Sequence, residues 1–256
     1  MEPLKIGKYE FSSRLITGTG KQVPYPLMRQ CIDAAGAELV TVAMRRIPKD
    51  EPAGMTLLDN LTGLNLLPNT ALCFTAKDAV LTAKLAREAL NTDLIKLEVI
   101  GDQDTLYPDN EELLVATREL IKDGFTVLPY CIDDPIVCRK LEDLGCAAVM
   151  PLAAPIGSGQ GIRNITNLQI IIEKASIPVI VDAGVGTASD AVIAMELGAS
   201  AVLMQTAIYG AKKPVQMAQA MKLAIHSGYL AARAGRMPKK LYATASSPDT
   251  GLVEAR

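Results

Sequence analysis

Apolar residues in this chain gather into short runs, each followed by a stretch with helical spacing. The runs RLITG (Arg14–Gly18), LVTVAM (Leu39–Met44), TALCFT (Thr70–Thr75) and LIKLEVI (Leu94–Ile100) read as the first four strands. FTVLPYC (Phe125–Cys131), AAVMPL (Ala147–Leu152), IPVIVDAG (Ile177–Gly184) and SAVLMQTAI (Ser200–Ile208) read as the next four. Helical periodicity covers about 25–35, 77–90, 110–122, 135–144, 166–175, 189–197 and 215–233. Glycines at 36, 124, 145 and 198 stand where helices stop. Strand then helix, repeated to eight strands, predicts an α/β fold, the (β/α)8 TIM barrel, in a single domain spanning 1–235. A doubly wound open sheet is the alternative, but no G-x-G-x-x-G follows the first strand.

Three segments fall outside that rhythm. LKIGKYEF (Leu4–Phe11) reads as a ribbon turning near Gly7, fit to plug the barrel from beneath. Arg45–Asn69, punctuated by Pro48, Pro52, Gly54, Gly63 and Pro68, reads as an insertion with a short helix over the C-terminal mouth. Residues 236–256 are polar and aperiodic, and are expected to form a tail that is mobile or folds over a neighbour or the mouth.

Composition narrows the function. Apolar residues make up 49% of 256, enough for a large core, and the net charge of −2 offers nothing to nucleic acid or an anionic membrane. With 3 Phe, 7 Tyr and no Trp, base-stacking platforms are not expected. The N-terminus does not read as a signal peptide and no apolar run is long enough to span a bilayer, so a cytoplasmic protein is expected. Five cysteines (31, 73, 131, 138 and 146) lack metal or redox spacing and read as buried thiols. The single histidine, His226, sits in a helical pattern, which excludes a His-rich metal site and a Ser-His-Asp triad. No metal and no cofactor are expected.

The chemistry centres on DLIKLEVIGD (Asp93–Asp102). Strand alternation puts Leu94, Lys96, Glu98 and Ile100 on one face and Ile95, Leu97 and Val99 on the other. A lysine in such a run is costly to bury unless it is paired or neutral. It therefore reads either as half of a structural ion pair or as an amine that attacks a carbonyl. Attack needs a neutral amine, and nearby carboxylates oppose that, so Glu98 is expected to shuttle protons rather than clasp Lys96. Asp182, closing the seventh strand, is expected at the same mouth in the same role. IGSGQG after the sixth strand, AGVG after the seventh and Gln205–Thr206 after the eighth are small-residue loops. They suit either tight turns or a phosphate. Lys21, Arg45 and Arg46 also point mouthward; their default reading is solvated loop charge, and the alternative is that one of them meets a substrate phosphate or a partner's acidic tail. Asp102, Asp104 and Asp109 are expected to cap the following helix.

The motifs SRLITGTGK, TVAMRR, LLPNTA, KLEVIGD, MPLAAPIGSGQGI, VDAGVGTASDA and AMELGASAVLMQTAI, in this order, resemble the thiazole synthase of thiamine biosynthesis from about Leu4 to Gly235. The resemblance implies a barrel enzyme, typically a homotetramer. It would condense 1-deoxy-D-xylulose 5-phosphate, dehydroglycine and sulfur into thiazole phosphate. The sulfur would come from a thiocarboxylated ubiquitin-like carrier protein and the dehydroglycine from a separate supplying enzyme. By the same resemblance Lys96 forms the imine with the sugar ketone, and Glu98 and Asp182 move protons. Gly157, Ala183, Gly184 and Thr206 hold the phosphate. Gln205 stands where the family usually has Asn, and AIYGAKKP departs from its usual continuation. The rival readings are a class I aldolase acting on a sugar phosphate and a non-catalytic sugar-phosphate sensor.

Overall fold

A computed structural model of the chain describes residues 1–20, 23–47 and 56–247. Two short strands, β1 (Leu4–Ile6) and β2 (Tyr9–Phe11), form an antiparallel hairpin. Eight parallel strands follow: β3 (Leu15–Gly18), β4 (Leu39–Ala43), β5 (Asn65–Asn69), β6 (Leu94–Leu97), β7 (Thr126–Cys131), β8 (Met150–Pro151), β9 (Ile180–Asp182) and β10 (Ala201–Leu203). They pair in the ring order β8-β7-β6-β5-β4-β3-β10-β9, and bridges Val149↔Val179 and Leu152↔Asp182 close the gap between β8 and β9. The expected TIM barrel is therefore the observed one.

The helices interleave as the periodicity predicts. They are α1 (Tyr25–Ala35), α2 (Ala76–Leu90), α3 (Asn110–Lys122), α4 (Pro135–Asp143), α5 (Ile165–Lys174), α6 (Ala188–Glu196), α7 (Thr206–Tyr209) and α8 (Pro214–Ala234). Caps explain several of these boundaries. Thr75 accepts from the Asp78 N–H, Asp109 from Glu111 and Glu112, and Asp134 from Ile136 and Val137. Only Asp109 of the three expected caps serves α3. Asp102 instead accepts from Thr105 in the preceding loop.

Alternation along each strand sorts side chains between two cores. Ile95, Leu97, Val127 and Val181 point outward into the layer between barrel and helices. Leu94, Leu128, Ile180 and Ile16 point inward, where Leu4, Ile6 and Phe11 of the hairpin join them. The N-terminal ribbon thus plugs the bottom of the barrel, as expected, and leaves the top open.

Two strand assignments are corrected. The third strand is Asn65–Asn69, not Thr70–Thr75, so the insertion is shorter than Arg45–Asn69. Pro68 reads as a breaker in sequence, yet it lies within β5, paired with Val42 of β4. On the β6 side, pairing is confined to the next residue, Asn69, opposite Lys96. Residues 70–75 form the turn before α2. The eighth strand ends at Leu203, because the apolar run that follows turns into α7. A continuous apolar run does not distinguish strand from buried helix. Among the described residues of the insertion, the helical segments are single 3-10 turns at Met44–Arg46 and Asp59–Leu61; residues 48–55, with Pro48, Pro52 and Gly54, lie outside the described residues.

Candidate active site

Lys96 is the third residue of β6 and faces inward, two places above Leu94. Glu98 follows at the strand's end, its backbone N–H donating to the Thr70 hydroxyl, which in turn donates to the Glu98 carbonyl. Asp182 ends β9, three strands round the ring. Barrel closure brings all three together. Lys96 Nζ donates to Glu98 Oε1 at 2.6 Å and lies 2.8 Å from Asp182 Oδ2, the latter contact lacking hydrogen-bond angles. Their exposures are 5%, 5% and 3%, so nearly all of the local charge is withdrawn from water.

The expectation of loosely placed carboxylates and a neutral amine is overturned by this geometry. Burial alone would push the Lys96 pKa down, but Asp182 and Glu98 more than offset it and hold the amine protonated well above its ordinary range. Asp182 is also shifted upward, first by burial and further by Glu98, against the pull of Lys96. An isolated ion pair would shift its two members in opposite directions. Here one cation faces two carboxylates, and such a buried set becomes neutral only by holding one extra proton. The three groups are therefore coupled, and the upward shifts of Lys96 and Asp182 both favour keeping protons within the cluster. Tyr130, whose ring centroid is 5.4 Å from Nζ, adds its π face to the cation's surroundings. Its phenol is kept protonated by burial and then by the charges of Asp182 and Glu98.

Above these groups opens a cavity of about 210 Å³ at the C-terminal ends of the strands. Gly157, Ala183, Gly184, Gln205 and Thr206 all line it, together with Lys96, Glu98 and Asp182. The sequence-expected site residues therefore converge on one cavity. Ala183 and Gly184 have φ of 72° and 83°, and a Cβ on Gly184 would fall 2.3 Å from the Ala154 nitrogen, so only glycine fits there. The backbone N–H groups of Gly157, Gly184 and Thr206 find no acceptor among the described residues. Unused donors on small-residue loops are suited to a polyoxygen anion.

Gln205 is accommodated by two glycines. A Cβ on Gly18 would sit 2.4 Å from its Oε1, and one on Gly20 2.5 Å from its Nε2. The extra methylene thus extends across β10 toward β3 and the amide stays on the cavity wall.

Arg46 lines the same cavity, whereas Arg45 donates to the Leu72 carbonyl at 2.6 Å; Lys21 lies outside the described residues. His226 is exposed on α8 and the five cysteines are buried and free. Sequence reasoning missed Tyr130 and Asn69, which lines the cavity beside Lys96. Tyr130 was accessible to it, two places beyond the inward Leu128 on the fifth strand. Asn69 was hidden by the misplaced third strand.

A family model described as thiazole biosynthesis protein ThiG matches residues 5–248. A thiazole synthase of Sorangium cellulosum is 62% identical over 257 residues, covering 99% of this chain and 98% of its own. Another, from Geotalea uraniireducens, is 60% identical with coverages of 99% and 98%. Among solved structures, the Amycolatopsis orientalis BexX/CysO complex contains a chain 35% identical to this one. It superposes with a TM-score of 0.86, covering 94% of this chain and 100% of that one.

Proposed function

The chain belongs to the ThiG family of thiazole biosynthesis proteins, and we propose on that ground that it is a thiazole synthase working through an imine at Lys96. Its substrates are 1-deoxy-D-xylulose 5-phosphate, dehydroglycine and the sulfur of a thiocarboxylated carrier protein, and its product is thiazole phosphate. The relative solved as the BexX/CysO complex supports a sulfur-carrier partner. A homotetramer is the assembly the family resemblance suggests.

The observation that carries this reading is the buried Lys96 amine, 2.6 and 2.8 Å from two carboxylates, beneath a cavity with unused N–H donors. The sugar phosphate docks against Gly157, Ala183, Gly184 and Thr206, with Gln205 beside it, which sets its ketone over Nζ. A carboxylate then takes one proton from the ammonium, and the freed amine adds to the ketone carbon. The carbinolamine loses water, its oxygen protonated by a carboxylic acid, and the imine results. The amine is thus neutral only when it reacts, and Glu98 and Asp182 act both as ion-pair partners and as proton carriers. The same pair serves the later tautomerisation, sulfur addition and loss of water.

Borohydride reduction in the presence of deoxyxylulose phosphate, followed by peptide mapping, tests the reading. A reduced adduct on Lys96, absent from Lys96→Ala, is the expected result. No adduct means a sugar-phosphate sensor. Carbon–carbon cleavage of the sugar without a sulfur donor means an aldolase.

A further inference from the structure

The cavity walls differ in charge, and the difference follows from the ring order. The loops after β8, β9 and β10 supply the unused N–H donors, and Lys96 on β6 lies partway round. β4 is four strands from β8, three from β9 and two from β10, and the turn that leaves it carries Arg46 into the cavity wall, facing the β8 loop. Lys96 and Arg46 are the cations lining the cavity among the described residues, and Lys96 is already clasped by two carboxylates. The guanidinium of Arg46 has no hydrogen bond or ion pair among the described residues. Its neighbour Arg45 is turned aside to the Leu72 carbonyl. Of two adjacent arginines, one therefore braces a loop, and the other is an exposed residue of the cavity wall with no partner among the described residues.

A ligand with a second anionic group meets a specific problem here. The floor holds two acidic side chains, Glu98 and Asp182, around the one Lys96 ammonium, so it has no positive charge to spare for a carboxylate arriving beside the sugar. Arg46 supplies the missing positive charge, and a planar guanidinium matches a carboxylate through two parallel hydrogen bonds. We propose that Arg46 is the specificity residue for the two-carbon co-substrate, binding the carboxylate of dehydroglycine across the cavity from the sugar phosphate. The assignment rests on the synthase reading above.

Its test uses glyoxylate with ammonium as the source of the imine: ammonia adds to the aldehyde and water leaves. Initial rates are measured against glyoxylate at saturating deoxyxylulose phosphate and thiocarboxylated carrier, for wild type, Arg46→Ala and Arg46→Lys. The expected result is a KM for glyoxylate raised roughly ten- to a hundredfold in Arg46→Ala, as for a lost charged hydrogen bond. Arg46→Lys recovers part of it, since charge remains and the fork does not. The borohydride-trapped Lys96 adduct with deoxyxylulose phosphate forms at the wild-type rate in both variants. An unchanged KM for glyoxylate overturns the assignment, as does a rise confined to the carrier protein. Loss of the Lys96 adduct in Arg46→Ala also overturns it and assigns the arginine to the sugar phosphate. A wild-type protein that forms no adduct overturns the synthase reading itself, an outcome separate from all of these.

Discussion

At the residue level, the proposed imine chemistry depends on where one proton rests. Lys96 is held protonated by Asp182 and Glu98 despite its burial, so removing one carboxylate lowers its pKa and leaves more neutral amine at a given pH. Asp182→Asn should therefore still form the sugar imine, with the pH profile of adduct formation moved toward acid. Product release should fall by about a hundredfold or more, because the later proton transfers lose a carrier. An unmoved pH profile would show that Asp182 does not control the amine. A second carboxylate, at the opposite end of the barrel, governs stability instead. Burial would raise the Asp93 pKa, but hydrogen bonds from Tyr9 and Thr126 and the Lys8 ammonium at 3.0 Å bring it down from 3.8 to about 2. A depressed carboxylate stabilises the fold above its unfolded pKa, and that contribution disappears as pH falls from about 4 to about 2. Asp93→Asn should cost about 1–2 kcal/mol at pH 7, allowing for solvent screening. Its chemical-denaturation stability should also depend less on pH within that acid window.

Among elements, the contact between α6 and α8 shows how closely the outer ring is packed. Gly228 lies within α8, and a Cβ there would come 2.6 Å from the Met195 Cβ and 2.7 Å from the Val192 carbonyl oxygen. Helix propensity favours alanine over glycine by about 1 kcal/mol. Forcing a methyl into a packed helix contact costs about 1–3 kcal/mol. Packing decides, since one obstacle is backbone, and Gly228→Ala should be destabilising by up to about 2 kcal/mol in urea titration. A stabilised variant would mean that α6 can move away. Element boundaries were legible wherever a cap or a helical period marked them, as for α1 and α3. They failed at β5, where a proline within a strand imitates a loop, and at α7, where an apolar run changes conformation without changing composition.

Across the whole molecule, the barrel has a sealed end and an end that opens into the cavity. Leu4, Ile6 and Phe11 close the bottom, while residues 236–247 are exposed throughout. Deleting residues 1–12 should remove several kcal/mol of buried apolar surface and lower the melting temperature markedly. Deleting 236–256 should leave it almost unchanged; a large drop there would show that the folded unit extends beyond residue 235. The chain alone determined the strand–helix rhythm, and with it the barrel. It also determined that Lys96 and Glu98 share an inward face and that Asp182 ends a strand, because these follow from local periodicity and alternation. It did not determine the proton. Whether a lysine is neutral or charged depends on every charge within a few ångströms, and Asp182 comes that close only when eight strands close into a ring. The place of Arg46 on the cavity wall and that of Gln205 against Gly18 and Gly20 have the same origin, since both depend on neighbours distant in sequence.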